Sequence, residues 1–312
     1  MKISVLGCGR WGSFLAWYLD SIRHQIVLWG RAHSQNYQKV QQDSAFDNIT
    51  LTQDLHEALS HADVLVVSIS AQALRSFMRQ LSAFDLRDKV FVLCMKGLED
   101  DTGLRLSEIV AAYAPDASVA VWVGPGHVQD YRRGVPNCML IDSEEHDVKK
   151  FLVDAFSGGL IRFYYGNDLL GSEVGAASKN VIGIAAGMLD GYGYTSLKGA
   201  LMARGAREIS VLIKQMGGNE LSAYGLCHIG DYEATLFSPY SHNRQFGELY
   251  IKGQKLDKLA EGVTTTKALM VLSDRYGVEL PITKAIYSIV YENQKPKEVL
   301  SKLFLRKQKH EF

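Results

Sequence analysis

The spacing of apolar positions changes once along the chain, close to Tyr165. Before that point, short runs rich in Val, Ile and Leu lack polar alternation, which is typical of parallel strands covered on both faces. These runs and the helix-length segments between them predict a doubly wound, mostly parallel α/β sheet of the Rossmann type. The predicted strands are Ile3–Leu6, Ile26–Trp29, Val64–Ser68, Val90–Cys94 and Val119–Val123, with Met139–Ile141 and Ile161–Tyr164 as possible additions, and the predicted helices are Trp11–Ile22, Ala71–Phe84, Gly103–Tyr113 and Ser143–Phe156.

After Tyr165 the apolar positions recur with helical spacing, which predicts an all-α region. Pro281 and Pro296 stand where helices begin or end. The change predicts two domains, 1–166 and 167–312, and a length of 312 residues suits that number. The helices predicted in the second region are Asp168–Met188, Leu197–Gln215, Glu220–Tyr224, Lys255–Leu259, Thr264–Tyr276 and Pro281–Glu292.

Composition excludes several classes of protein. The 34 basic and 34 acidic residues cancel, which argues against a nucleic-acid-binding surface. The four cysteines are scattered without a CxxC pair, as expected in a reducing compartment. The N-terminus lacks the pattern of a signal peptide, and no run approaches the ~20 apolar residues of a membrane span. The nine histidines form no HxH or HExxH pattern. We therefore expect a cytoplasmic protein with no metal and no stable membrane insertion.

Gly7, Gly9 and Gly12 form a G-x-G-x-x-G pattern after the first predicted strand and at the start of a helix. Gly7 allows a tight turn, Gly9 lets a pyrophosphate approach the backbone, and Gly12 lets the helix pack close to the sheet. The helix N-terminus stabilises the phosphate charge. Because strand, helix and chain position all agree, the pattern predicts dinucleotide binding. The alternative is a glycine-rich turn without a ligand.

The residue that selects the cofactor follows the second predicted strand. An Asp or Glu there accepts hydrogen bonds from the ribose of NAD. Arg31 occupies this place, and its guanidinium can pair with a 2′-phosphate or stack on adenine. NADP is therefore slightly favoured over NAD. The alternative is a solvated surface charge.

Lys179 lies off the apolar stripe of its predicted helix. Small residues surround it at helical spacing, so a ligand could approach closely. A surface lysine more often has long polar neighbours, but the spacing alone leaves both interpretations open. The stripe consists of Val174, Val181, Ile184 and Met188, and the small neighbours are Gly175, Ala176, Gly183 and Ala186.

Several motifs in this order resemble those of the NAD(P)-dependent glycerol-3-phosphate dehydrogenases over nearly the full length. The resemblance implies a Rossmann domain followed by an all-helical domain of the 6-phosphogluconate-dehydrogenase-like type. It also implies reduction of dihydroxyacetone phosphate to sn-glycerol 3-phosphate for phospholipid synthesis, with a homodimer as a further possibility. The motifs are Gly7–Gly12, Trp29–Arg31, Met95–Glu99, Gly124–His127, Glu173–Gly187, Gly230–Asp231, Ser238–Pro239, Ser241–Gly247 and Glu261–Thr264.

The same resemblance implies roles for individual residues. Lys179 would be the acid/base that stabilises and protonates the ketone oxygen, and Lys96 a second cation that also contacts substrate and cofactor. Asp231 would orient Lys179 or bind a substrate hydroxyl. The other implied substrate-binding residues are Gly124, Asn180, Thr235, Ser241, His242 and Asn243, and the implied cofactor-binding residues are Gly7, Gly9, Arg10, Trp11, Gly12, Arg31, Lys96, His242 and Glu261. Taken singly, many of these would be caps, turns or core residues.

Three positions depart from the family pattern. His242 stands where an arginine commonly helps to hold the substrate phosphate, and histidine is only partly charged near neutral pH and has no bidentate fork. Arg244 is a candidate replacement. Gly126 stands where the family often has Ser, and Arg10 replaces a small residue in the phosphate loop. These changes affect substrate affinity and identity more than reaction class.

Two alternatives to the leading hypothesis follow. An enzyme of the same fold could act on another phosphorylated or acidic ketone, as the departures at His242 and Gly126 suggest. A Rossmann protein can also sense the nicotinamide redox state without catalysis. A sensor has no need of Lys179, Lys96 or Asp231, so these residues favour an enzyme. The basic stretch Lys295–Lys309 is interpreted as a last amphipathic helix and a solvated tail rather than a membrane-binding segment.

Overall fold

The computed structural model describes residues 1–32, 34–307 and 310–311. The chain divides into two compact units. The first contains Met1–Lys96 and Leu104–Glu173, and the second contains Gly97–Gly103 and Val174–Phe312. Residues 97–103 belong to the second unit although the chain on either side of them belongs to the first, and the sequence pattern does not predict this. The domain limits expected from the sequence, with a boundary between residues 166 and 167, stay a prediction.

An eight-stranded sheet forms the centre of the first unit, in the order β3-β2-β1-β4-β5-β6-β7-β8. All neighbouring pairs are parallel except β6 and β7. The strand order reverses beside β1, which creates a crevice at the carboxyl ends of the strands. The predicted Rossmann-type sheet is confirmed. Its strands are β1 (Lys2–Leu6), β2 (Gln25–Trp29), β3 (Thr50–Thr52), β4 (Val64–Val67), β5 (Val90–Leu93), β6 (Ser118–Val123), β7 (Asn137–Ser143) and β8 (Ile161–Tyr165).

The helices of the first unit cover the sheet. Four match predicted segments closely, whereas α2, α3 and α6 were not predicted because they are short and carry few apolar residues. Side chains cap two of these three: Ser34 accepts from the Tyr37 N–H, and Asp54 accepts from the His56 N–H. The helices are α1 (Arg10–Ser21), α2 (Gln35–Gln41), α3 (Leu55–His61), α4 (Leu74–Leu81), α5 (Leu106–Tyr113), α6 (Val128–Arg132) and α7 (His146–Phe156).

From Val174 onward the described residues contain helices and no strand, which confirms the predicted helical region. The predicted helix Lys255–Leu259 is wrong: this segment is an irregular loop. Its two leucines bury no continuous face, so nothing stabilises a helix there. The predicted basic tail forms a helix followed by a short segment, and Gln308 and Lys309 lie outside the described residues. The helices are α8 (Leu169–Gly191), α9 (Lys198–Gln215), α10 (His242–Ile251), α11 (Glu261–Tyr276), α12 (Pro281–Val290) and α13 (Pro296–Phe304).

Helix α10 was not predicted, because its own sequence is mostly polar. It packs on α8 through a pair of glycines. A Cβ on Gly187 would lie 1.9 Å from the Arg244 carbonyl oxygen, and a Cβ on Gly247 would lie 2.1 Å from that of Ile184. The two backbones can approach this closely only because both positions lack side chains.

A buried carboxylate caps helix α12. Glu208 on α9 accepts from the backbone N–H groups of Ile282 and Thr283 and from the Thr283 hydroxyl, at 2.7–3.0 Å. The Glu208→Ala variant leaves these donors buried without their acceptor, so we expect a free energy of unfolding about 3 kcal/mol lower, measured by urea denaturation. In the control Glu220→Ala, an exposed pair with Lys214 is lost and the change should stay below about 1 kcal/mol. Equal losses in the two variants would refute the capping role.

Candidate active site

The glycine turn after β1 has the geometry that a dinucleotide needs. Gly7 adopts φ +122°, and a Cβ there would lie 2.2 Å from the Ser68 carbonyl oxygen. A Cβ on Gly12 would lie 1.9 Å from the Gly7 carbonyl oxygen, so helix and turn are in direct contact. At Gly9, by contrast, a Cβ would meet nothing within 4 Å. The first and third glycines are therefore required by packing, whereas the second borders open space.

The N-terminus of α1 adjoins that space. Gly9 is the N-cap residue and provides no side-chain cap, so the first N–H groups of the helix remain for an anion. Arg10 opens the helix and is exposed. Trp11 is half-buried, with its ring 5.1 Å from that of Phe14 and 6.3 Å from that of Tyr131. Trp11 thus packs on the edge of the core. These features fit a pyrophosphate beside Gly9.

Arg31 lies beyond the carboxyl end of β2 and is exposed. The chain passes through Gly30 just before it, where a Cβ would come within 2.4 Å of Cys8 Sγ and 2.6 Å of the Tyr37 ring. The tight packing at Gly30 holds the backbone that leads to Arg31. The exposed guanidinium can therefore meet a ribose phosphate without rearrangement of the core.

Lys96 follows β5, and its Nζ donates to the Gly124 carbonyl oxygen at 2.7 Å. The Gly-Pro-Gly turn that holds Gly124 has φ +133° at Gly124 and +142° at Gly126. A Cβ on Gly126 would lie 2.4 Å from the Tyr131 ring, whose hydroxyl donates to the Pro125 carbonyl oxygen. The aromatic ring therefore explains why glycine rather than serine occupies position 126.

In the second unit, a buried ion pair contains the predicted acid/base. The Lys179 Nζ lies 2.6 Å from Asp231 Oδ2 and donates to Thr235 Oγ1 at 2.7 Å. The side chain of Lys179 is 8% exposed and that of Asp231 1% exposed, so water screens the pair little. Thr235 lies in a π-helical turn, Glu233–Phe237. The structure thus brings together three of the predicted residues.

The small residues around Lys179 do not leave an open face, contrary to the idea that a ligand approaches there. A Cβ on Gly175 would lie 3.2 Å from His228 Cβ, and one on Gly183 would lie 2.8 Å from Thr235 Cγ2. Protein segments therefore pack against the glycines of α8. The small side chains allow the segments that carry Asp231 and Thr235 to reach the lysine.

Helix α10 and its neighbour α11 carry the other predicted groups. Ser241 is the N-cap of α10, with its Oγ accepting from the Arg244 N–H at 3.3 Å. Asn243 Oδ1 accepts from the Gly262 N–H at 2.8 Å, next to Glu261 at the start of α11. Asn180 is buried, and its backbone carbonyl oxygen would lie 2.6 Å from a Cβ on Gly262. Asn180 and Asn243 thus both border the first turn of α11.

His242 and Arg244 have different surroundings. His242 is half-buried at the first position of α10, with Nδ1 3.3 Å from the Leu259 carbonyl oxygen. The Arg244 guanidinium donates to Asp190 at 2.6 Å and to Glu248 at 3.0 Å. Because these carboxylates neutralise its charge, Arg244 is a poor replacement for the missing arginine. That suggestion from the sequence finds no support in the geometry.

Sequence reasoning missed the fully buried His228. Its Nδ1 lies 2.7 Å from the Gly175 carbonyl oxygen, and its Nε2 lies 2.7 Å from the Tyr232 hydroxyl. Burial lowers the pKa of His228 from 6.5 to about 4. Nothing in the local sequence distinguishes this histidine from the eight others, because its partners come from the fold.

The pKa of His228 makes stability depend on pH. Between about pH 6.5 and pH 4 the unfolded chain binds a proton at this residue that the native protein does not. The free energy of unfolding should therefore fall as the pH is lowered through this window. Urea denaturation at several pH values should show a shallower fall in the His228→Asn variant. Identical slopes in variant and wild type would exclude His228 as the source.

Among the residues that the structure describes, no group of three or more His, Cys, Asp or Glu side chains could hold a metal ion. Among the same residues, no helix is both long and apolar enough to cross a membrane.

Each unit thus carries one part of a recognisable chemistry. The first has an open glycine turn beside an uncapped helix N-terminus, and the second has a buried lysine–aspartate pair. Together they define the class of Rossmann dehydrogenases that carry a helical second domain.

Family models place the chain within that class. The model described as NAD-dependent glycerol-3-phosphate dehydrogenase N-terminus matches residues 2–149, and the corresponding C-terminus model matches residues 168–301. The chain therefore belongs to the NAD-dependent glycerol-3-phosphate dehydrogenase family. The relatives of Bacillus pumilus and Bacillus subtilis, both named glycerol-3-phosphate dehydrogenase [NAD(P)+], are each 35% identical over 100% of this chain and 96% of theirs.

Solved structures agree on the fold. A glycerol-3-phosphate dehydrogenase from Coxiella burnetii matches with a TM-score of 0.91 and 23% identity, covering 98% of this chain and 99% of that chain. The enzyme from Plasmodium falciparum matches with a TM-score of 0.85 and 18% identity, covering 99% and 96%. The family resemblance inferred from the sequence and the expected fold class are confirmed.

Proposed function

We propose that the protein reduces dihydroxyacetone phosphate to sn-glycerol 3-phosphate with a nicotinamide dinucleotide, and that it supplies glycerol phosphate for phospholipid synthesis. The observation that carries this proposal is the buried contact of 2.6 Å between Lys179 and Asp231, in a chain of this family. A buried ammonium costs free energy unless a charge partner stabilises it, so such a pair often marks a functional site.

Four residues of the chain would have separate roles in this reduction. Asp231 holds Lys179 as an ammonium, which donates a hydrogen bond to the ketone oxygen and then a proton as negative charge develops there. Thr235 orients the same ammonium through its hydroxyl. The bound nicotinamide supplies the hydride. Lys96 is proposed to contact the substrate, with Gly124 fixing its ammonium.

The dinucleotide is proposed to lie on the turn formed by Gly7, Gly9 and Gly12. The open space at Gly9 and the uncapped N-terminus of α1 fit a pyrophosphate. Arg31 supports a slight preference for NADP over NAD, because an exposed guanidinium pairs with a 2′-phosphate. Cofactor contacts of Arg10, Trp11, Glu261 and His242, a cytoplasmic location and a homodimer belong to the same proposal.

The test is an assay of NADPH and NADH oxidation. We expect oxidation to depend on added dihydroxyacetone phosphate, with the product identified as sn-glycerol 3-phosphate. NADPH should give the higher kcat/KM. Oxidation that ignores this substrate but follows another ketone would contradict the proposal.

The phosphate is the substrate group that this chain is least well equipped to hold. His242 lacks the bidentate fork of an arginine, and the Arg244 guanidinium donates to Asp190 and Glu248. We expect the His242→Arg variant to lower the KM for dihydroxyacetone phosphate about tenfold, because a charge-assisted bidentate contact contributes on the order of 1.5–3 kcal/mol. Initial rates at pH 7.5 measure the effect. As a control, His242→Gln should raise the KM, and a lower KM in both variants would rule out the charge argument.

A second candidate function rests on the same histidine. An enzyme without the arginine fork could prefer an acidic ketone other than a phosphate ester. A panel of ketones separates the two possibilities, and a strong preference for dihydroxyacetone phosphate would exclude the second.

A further inference from the structure

His228 is a fully buried titratable group that the proposed chemistry does not use. Its imidazole is 0% exposed, and both ring nitrogens have partners at 2.7 Å. One partner is a carbonyl on α8, and the other is the hydroxyl of Tyr232, which is itself fully buried. A side chain enclosed in this way can hold only a small number of hydrogen-bonding states.

The partners determine the state of the ring. The Gly175 carbonyl oxygen can only accept a hydrogen bond, so Nδ1 must carry a proton. Burial lowers the pKa of His228 to about 4, so near pH 7 the ring is neutral and has one proton. Nε2 therefore accepts, and the Tyr232 hydroxyl donates to it.

The two bonds connect the segments that carry the ends of the ion pair. Gly175 lies one helical turn before Lys179, and its carbonyl oxygen is the helical acceptor for the Lys179 backbone N–H. On the other side, the His228 carbonyl oxygen accepts from the Asp231 N–H at 3.0 Å, which closes the 3₁₀ turn Ile229–Asp231. The imidazole thus fixes the turn with Asp231 against the turn of α8 below Lys179.

The charges near the ring oppose each other, so burial decides that the imidazole is neutral. Lys179 on α8 and Asp231 on the adjoining turn act on His228 in opposite directions. Glu208 on α9 and Tyr224 act electrostatically on Tyr232, the other hydrogen-bond partner of the ring. A cationic imidazole would compete with Lys179 for Asp231, whereas a neutral one leaves the carboxylate to the lysine.

We propose that His228 is a positioning residue: as the neutral Nδ1–H tautomer, bonded to Gly175 and Tyr232, it holds the Asp231 turn against α8 and so sets the Lys179–Asp231 contact. It acts through these two segments and touches neither substrate nor cofactor. The proposal rests on the proposed function only for its kinetic consequence. The tautomer and the geometry of the pair are independent of any substrate.

The first test uses the full-length protein without substrate. Nitrogen-15 spectra of histidine-labelled protein, with the His228 signal identified by its loss in His228→Asn, should show a protonated Nδ1 and a bare Nε2 from pH 8 to pH 6. A charged ring or the opposite tautomer in this range would overturn the proposal.

The second test compares three variants. His228→Leu removes both ring bonds, His228→Asn keeps a donor for Gly175, and Tyr232→Phe removes only the hydroxyl. We expect acetic anhydride to label Lys179 several-fold faster in His228→Leu than in wild type, since Asp231 holds the ammonium less firmly. His228→Asn should be labelled at Lys179 almost as slowly as wild type. If His228 had only a general stabilising role, His228→Asn and His228→Leu of equal stability would be labelled at the same rate. Equal labelling rates of Lys179 in wild type and His228→Leu would overturn the proposal. If His228→Leu does not fold, the same comparison is made with Tyr232→Phe, and equal rates there would also overturn it.

Kinetics separate this inference from the proposed function. With dihydroxyacetone phosphate, kcat of His228→Leu should fall about tenfold to a hundredfold, with an unchanged KM for NADPH, because small displacements of a catalytic group have effects of that size. Wild-type protein that fails to use this substrate would contradict the proposed function, and the labelling would still decide the role of His228. Wild-type turnover in His228→Leu would contradict the positioning role alone.

Discussion

The Lys179→Met variant should lose about a thousandfold in kcat for dihydroxyacetone phosphate while binding NADPH with unchanged affinity. Positioned proton donors contribute on the order of 10²–10⁴ to rate, and the ammonium also stabilises the developing alkoxide. Methionine keeps the length of the side chain, so packing within α8 is largely preserved. Stopped-flow oxidation of NADPH and fluorescence titration of the cofactor measure the two quantities.

A second buried lysine serves as the matched control. Lys149 lies 3.5 Å from Asp142, and the two side chains are 9% and 0% exposed, close to the values for Lys179 and Asp231. Removing either lysine leaves a buried carboxylate without its cation, which destabilises a fold by about 3–5 kcal/mol. Lys149→Met should therefore lose stability but retain kcat. Loss of turnover in both variants to the same extent would show that instability, not proton donation, explains the effect.

The second large effect is expected at Gly9. The Gly9→Ala variant should fold like the wild type, because its φ of −68° suits any residue and the added methyl meets nothing within 4 Å. The methyl would occupy the space assigned to the pyrophosphate and block its bonds to the N–H groups of α1. Since charge-assisted bonds contribute about 1.5–3 kcal/mol, Kd for NADPH should rise tenfold to a hundredfold, as isothermal titration would measure.

Two other glycines make that experiment specific. Gly199→Ala also adds a methyl to open space, and it should leave Kd unchanged. Gly12→Ala would place a methyl 1.9 Å from the Gly7 carbonyl oxygen and should lower the melting temperature. If Gly9→Ala binds NADPH as tightly as Gly199→Ala, the dinucleotide does not lie on this turn.

The half with the Rossmann-type sheet could be predicted from the sequence because its determinants are local. Buried parallel strands appear as uninterrupted runs of Val, Ile and Leu, and the glycine pattern lies between a strand and a helix. Two elements were not predicted, for different reasons. Strand β3 has only three residues, of which only Leu51 is apolar, and helix α10 is stabilised by the close approach of Gly187 and Gly247. Such contacts between distant segments leave no periodic pattern.

The lysine site shows the same limit more clearly. Lys179 and Asp231 are 52 positions apart in the chain, so only the family resemblance connected them before the structure placed them 2.6 Å apart. The small residues around Lys179 would allow a ligand to approach closely, yet the segments carrying His228 and Thr235 pack against two of them, Gly175 and Gly183. His228 itself could not be found from sequence, because its importance lies in a carbonyl and a hydroxyl supplied by folding.

The ammonium of Lys179 is proposed to donate a hydrogen bond to the reducible carbonyl. A crystal structure of the protein with NADPH and a non-reacting analogue of dihydroxyacetone phosphate measures this directly. We expect Lys179 Nζ within about 3.2 Å of the analogue's carbonyl oxygen, with Asp231 still bonded to the ammonium. A carbonyl oxygen bound by some other donor, with Lys179 turned away from it, would contradict the assignment.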